Sequence, residues 1–119
     1  MAHATELVIW GVVAHLVADW LLQNDWMAAN KCSLGHPAAW VHGLIHVLAL
    51  LFVFPAPVAF VLGMAHVVID TRKPLTWWRV AFRQTNDSTV QSWMISVWCD
   101  QALHIALIAM AAILVARLG

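Results

Sequence analysis

The sequence predicts an all-α integral membrane protein: an up-down four-helix bundle with a short interfacial helix between helices three and four. Three observations carry that expectation. Of 119 residues, 63% are hydrophobic and only 10% charged, with a mean hydropathy of +0.80, and a soluble globule of this size cannot hide so many apolar side chains. The apolar residues gather into four segments suited to crossing roughly 30 Å of hydrocarbon at about 1.5 Å per helical residue. Each segment carries two ionisable residues four positions apart. The length allows one domain, residues 1–119.

The first helix is expected over about residues 6–23. It lacks a basic leader and an A-x-A cleavage site, and His15 and Asp19 do not belong in a signal-peptide core, so it is expected to persist in the mature protein. The second and third helices, about 38–54 and 56–71, flank Pro55-Ala56-Pro57, which interrupts any continuous helix and demands a tight hairpin. They should therefore pair antiparallel. Residues 74–88 follow, where Trp77, Trp78, Val80, Ala81 and Phe82 alternate with Arg79 and Arg83. Tryptophans suit the headgroup level, and arginines four apart share a helical face, so a helix lying in the interface is expected. Ser88 and Gln91, at capping-box spacing, start the last helix, about 90–118.

Charge sets orientation and excludes one class of partner. Lys plus Arg and Asp plus Glu both number 6, which leaves no basic excess for nucleic acid. Lys31 lies in the first connection and Arg72, Lys73, Arg79 and Arg83 in the third, against Arg117 alone on the opposite face. The positive-inside rule places both long connections in the cytoplasm and both termini outside. Cys32 and Cys99 form no CxxC pair and are expected to be reduced.

The intramembrane ionisable residues are His15 and Asp19, His42 and His46, His66 and Asp70, and Asp100 and His104. At i, i+4 both members of a pair share one helix face. In an up-down bundle, His15, His46, His66 and His104 fall at one depth, with Asp19, His42, Asp70 and Asp100 one turn nearer the cytoplasm. Each such group costs a few kcal/mol in hydrocarbon unless partnered. Five imidazoles and three carboxylates are the ligand set of borderline divalent cations, which would also offset the buried charge. Two ions are expected, zinc first, manganese or iron after it. A haem has no use for three aspartates, and di-iron bundles use Glu with Glu-x-x-His spacing. Hydrolytic two-metal centres suit a mixed His and Asp set better. His3 and His36 read as interfacial residues, and the tryptophans and methionines as belt and packing.

The run His15-Leu-Val-Ala-Asp19-Trp-Leu-Leu-Gln23-Asn-Asp25-Trp26-Met27-Ala-Ala-Asn30-Lys31 resembles the opening signature of the bacterial membrane family of domain of unknown function DUF3307. His42-x3-His46, His66-Val-Val-Ile-Asp70 before basic residues, and Asp100-Gln101-x2-His104 extend the likeness over nearly the whole chain. The resemblance implies a bacterial membrane protein with this fold and these motif positions, and no particular reaction. A more distant likeness is to inner-membrane metal-dependent hydrolases.

These readings lead to a cytoplasm-facing metallohydrolase acting on a lipid-like or amphiphilic ester or phosphoester. Asp19, Asp70 and Asp100 would be its catalytic carboxylates. Gln23, one turn beyond Asp19, would donate to a substrate oxygen, and Arg72, Lys73, Arg79 and Arg83 would hold an anionic headgroup. The alternatives are a divalent-metal transporter or sensor and a di-iron oxidative enzyme. Expected partners are the bilayer and a lipid-like substrate, with a homo-oligomer left open. Val47 to Phe54 and Ile105 to Met110 offer no polar path beyond the ligands, which disfavours transport.

Overall fold

Helix propensity, proline placement and capping residues divide the chain into six helices, with no strand, among the residues described by the computed structural model, 3–119. Met1 and Ala2, the start of the expected domain, lie outside the described residues. Helix α1 is Ala4–Leu16 and runs on as a wider π turn over Val17–Leu21, closed by Leu22 N–H donating to the Val17 carbonyl at 3.0 Å. The first helix thus ends two residues sooner than expected. Asn24 then caps a short helix, α2 (Asp25–Asn30), which the sequence reading treated as plain connection; its Oδ1 accepts from Met27 N–H at 2.9 Å.

Helix α3 (Pro37–Leu50) starts with proline in its first turn, where the missing N–H costs nothing, and with His36 Nδ1 accepting from Ala38 N–H at 3.1 Å. It stops four residues short of the expected Phe54. The residue before a proline avoids helical backbone, and Leu51 to Phe54 tighten into turns that end in Phe54 N–H donating to the Leu50 carbonyl at 2.8 Å. Helix α4 is Ala56–Asp70.

Arg72, in left-handed backbone at φ 64°, breaks the chain between α4 and α5 (Lys73–Ala81). The expected interfacial segment 74–88 is therefore helical only in its first half. Helix α6, Val90–Leu118, is capped by Thr89, whose Oγ1 accepts from Ser92 N–H at 3.1 Å, one register later than the Ser88 and Gln91 reading. Thr89 also donates through its hydroxyl and its N–H to Asp87, which holds that exposed carboxyl below the usual carboxylate range. The 29 residues of α6 set the long axis of a molecule measuring 46 × 31 × 21 Å.

Two antiparallel pairs make the bundle. A side chain at Gly43 would strike Val67, and one at Gly63 would strike Val47. The two helices exchange a glycine for a valine, which lets their backbones approach closely. Gly11 on α1 plays the same part, since a Cβ there would lie 2.6 Å from Ile108 Cγ2 on α6. Leu7, Leu50, Phe54, Ala59, Ile108 and Ala112 fill one end of the interior. The other end is polar. Cys32 and Cys99 are free, as expected.

The outer surface is apolar. All eight tryptophans are exposed, as are Leu44, Leu48, Phe60 and Val61, and Phe52 reaches 94%. Among the described residues, two helical stretches, Ala4–Leu21 and Val90–Leu118, are long and apolar enough to cross a membrane, whereas α3 and α4 are apolar but shorter.

Candidate metal centre

The i, i+4 spacing delivers its pairs to one place. His15, Asp19, His42, His46, His66, Asp70 and His104 are all buried, and His42 and His46 are the largest side chains fully enclosed. Each arises from one face of α1 with its π turn, α3, α4 or α6. Four imidazoles form a layer: ring centroids lie 5.2 Å apart for His15 and His46, 3.3 Å for His46 and His66, 4.4 Å for His66 and His104, and 4.9 Å for His104 and His15.

Asp19 and Asp70 stand over this layer. His42 Nε2 sits between them, 3.1 Å from Asp19 Oδ1 and 3.3 Å from Asp70 Oδ2. Asp19 Oδ1 is also 3.7 Å from His46 Nε2 and 3.8 Å from His66 Nε2. Asp70 is 2.8 Å from His66 Nε2 and 3.7 Å from His104 Nε2. The contact of His42 Nε2 with Asp19 Oδ1 is a hydrogen bond, whereas the others are close approaches without hydrogen-bond alignment: His46 Nε2, both nitrogens of His66, His104 Nε2 and Asp70 Oδ2 are buried without a hydrogen-bond partner. Leaving such atoms unsatisfied costs about 1–3 kcal/mol each. A cation among them would satisfy them together.

The protons can be placed from the partners. His104 Nδ1 lies 2.7 Å from the backbone oxygen of Asp100. A carbonyl only accepts, so Nδ1 carries the hydrogen, and a metal ion would be met by the lone pair that Nε2 has in the neutral ring. Gln101 Nε2 donates to Asp19 Oδ2 at 2.8 Å and to Asp100 Oδ2 at 3.3 Å. Its Oε1 is then the acceptor for His15 Nε2, 2.9 Å away, so His15 is a donor on that side.

Among the described residues, two overlapping groups converge closely enough to hold a metal ion: Asp19, His42, His46 and His66, and then His66, Asp70 and His104. His15 and Asp100 stand in neither. His15 is held by Gln101, 4.0 Å from Asp19 Oδ2, and Asp100 lies at the margin with its side chain 20% exposed. Two participants went unforeseen. Lys31 Nζ comes 3.6 Å from Asp19 Oδ1 and 3.7 Å from Asp70 Oδ2, and Gln101 bridges three of the expected ligands. The resemblance motif contained both residues, yet only the path of the loop brings Lys31 over the carboxylates.

The cluster has an open and a closed side. A cavity of about 170 Å³ adjoins Asp19 and Asp100 and is lined also by Gln23, Lys31, Arg72 and Ser96. Beyond the four imidazoles the lining turns to Leu50, Leu62, Leu107 and Ile108, around a void of about 10 Å³, room for about one water.

The residues expected to hold a headgroup are dispersed. Gln23 and Arg72 reach the cavity. Lys73 is exposed, and Arg83 lies past the end of α5 in left-handed backbone, so it does not share a helical face with Arg79. Arg79 is buried, and its Nη2 donates to Ser92 Oγ at 3.0 Å, tying α5 to the start of α6. Its amphipathic placement turned the arginine inward because Ser92 offers an acceptor there.

Neither curated proteins nor solved structures yield a match to this chain. A family model does match, over residues 7–119, and it covers all but the first three residues of α1, every later helix and every residue of the His and Asp cluster; the chain belongs to the family described as Protein of unknown function (DUF3307).

Proposed function

We propose that this protein is a membrane-embedded dinuclear metallohydrolase that cleaves an amphiphilic ester or phosphoester at the cytoplasmic leaflet. The observation that carries the reading is the convergence of unpartnered, buried imidazole nitrogens of His46, His66 and His104 on two carboxylates beside an open polar cavity. The six grouped ligands divide into Asp19, His42 and His46 for one ion and Asp70, His66 and His104 for the other. Two histidines and one carboxylate per ion leave an open coordination position, as catalytic zinc requires, and suit iron as well. Zinc is the first choice. Bound there, the ions would polarise a substrate oxygen and supply hydroxide at neutral pH.

The chain's own groups do the rest. Gln101 fixes Asp19, the Asp100 carbonyl fixes the His104 ring, and Lys31 balances the carboxylates at the rim. In the membrane the four long helices would form spans, α3 completed by its flanking turns, with apolar flanks such as Leu44, Leu48 and Phe60 against lipid. The basic connections would face the cytoplasm. The apolar floor past the histidines favours a reaction site over a conduit.

The test is the metal content of the full chain purified mildly and metal-repleted, followed by a panel of lipid esters and phosphoesters and by ion flux in vesicles. Two ions per chain and metal-dependent cleavage are expected. Ion flux without cleavage would replace the enzyme with a transporter, and absence of any bound transition metal would remove the metal centre altogether.

A further inference from the structure

The rim cavity combines features that the metal ligands alone do not require. Lys31 and Arg72 bring two cations to it from different parts of the chain, one just past α2 and one from the left-handed link between α4 and α5. The Arg72 guanidinium reaches across to α6, with Nη1 3.5 Å from Ser96 Oγ. Gln23, also in the lining, has a buried Oε1 with no hydrogen-bond partner. The lining thus includes two positive charges, a hydroxyl and a free amide acceptor, together with the indoles of Trp20 and Trp93 and the carboxylates of Asp19 and Asp100.

We propose that this cavity is a phosphate subsite, in which Lys31 and Arg72 hold the anionic oxygens of a phosphate monoester and Gln23 accepts from a hydroxyl on the alcohol part of the same substrate. The assignment rests on the metal-centre reading above and narrows its substrate to a phosphoester. Two cations match a dianion better than the single charge of a carboxylate, and the planar guanidinium suits paired phosphate oxygens. Charge logic also makes the subsite conditional. Without metal, the Lys31 ammonium is occupied by Asp19 and Asp70, and Asp100 repels an incoming anion. Once divalent ions satisfy Asp19 and Asp70, Lys31 is released to the cavity. Free phosphate and a lipid phosphate headgroup share this chemistry.

The experiment measures binding of inorganic phosphate by calorimetry to the full chain in detergent, with and without zinc, for wild type, Lys31→Gln and Arg72→Gln. Expected are phosphate binding only in the zinc-loaded protein, about tenfold weaker binding for each variant (a loss of about 1.4 kcal/mol), and unchanged zinc content in Arg72→Gln. Arg72 is exposed, so that variant tests the subsite even if Lys31→Gln folds poorly. Equal phosphate affinity in wild type and Arg72→Gln at equal zinc content overturns the subsite and leaves the metal centre standing. A chain that binds neither zinc nor manganese or iron overturns the metal centre and, with it, the metal-conditional subsite, and phosphate binding through Arg72 without any metal overturns the conditional form. Vesicles containing phosphatidic acid, compared with phosphatidylcholine alone, identify the source. Competition by phosphatidic acid against phosphate marks a lipid headgroup, and its absence, with phosphate still bound through Arg72, marks a soluble phosphate.

Discussion

The side-chain amide of Gln101 donates to Asp19 Oδ2 across 2.8 Å while its oxygen accepts from His15 Nε2 at 2.9 Å. One glutamine on α6 therefore holds both members of the α1 pair. A residue that orients a ligand without touching the ion typically matters by about 10–100-fold in metal affinity or activity.

Gln101→Leu should accordingly lower zinc affinity by about 10-fold or more, because Asp19 loses its fixed orientation and His15 its acceptor. A competition titration with a chromophoric chelator reads this directly. Gln101→Glu should not restore it, since a carboxylate beside Asp19 and Asp100 adds repulsion instead of a donor. Wild-type affinity in the leucine variant would show that the amide is only packing.

Asp70→Asn keeps the size of the side chain and removes its charge. At least one ion should remain, held by Asp19, His42 and His46, while cleavage of the best substrate falls at least about 100-fold. Elemental analysis and turnover on the same sample separate the two effects. A parallel loss of flux across vesicles, with no hydrolysis in the wild type to lose, would point to transport.

Cys32 is exposed, in the connection between α2 and α3, and Gly119 ends α6. With four spans and the basic connections inside, a membrane-impermeant maleimide should reach Cys32 only from the cytoplasmic side and the added thiol of a Cys32→Ser, Gly119→Cys double variant only from outside. Labelling of both from one side would contradict the four-span topology.

Gly43→Ala and Gly63→Ala should each destabilise the protein by about 1–3 kcal/mol, as overpacked positions do, because the new methyl meets Val67 or Val47. Gly35→Ala is the control. Its nearest neighbour, Ser33 Oγ, is 3.9 Å from the added carbon, in ordinary contact, and a change within about 0.5 kcal/mol is expected. Thermal unfolding in detergent ranks the three, and equal midpoints would refute the close-packed α3 and α4 seam.

How much of this was legible beforehand depended on whether a feature was periodic. His15 with Asp19 and His66 with Asp70 declare a shared face through spacing alone, so their meeting could be expected. The π turn around Asp19 could not, because a single wider turn leaves no mark in composition. Nor could Lys31, whose approach to Asp19 and Asp70 depends on how the Asn24-capped α2 folds the loop back over the bundle. Arg79 was misplaced for a related reason: periodicity shows which side chains share a face but not whether a partner such as Ser92 waits behind it.

His66 belongs to both of the groups that could hold an ion. Its Nε2 has one lone pair, and one lone pair cannot serve two cations. Two ions on this scaffold would therefore compete for it: an ion at Asp19, His42 and His46 that draws it away would leave the other with Asp70 and His104 alone. Filling should be antagonistic, with two unequal affinities, and at scarce metal the chain should accumulate as a half-loaded species instead of a mixture of empty and full molecules. A cell's free-metal level could then set the fraction of competent protein across a broad range of concentration, as a graded response with no threshold.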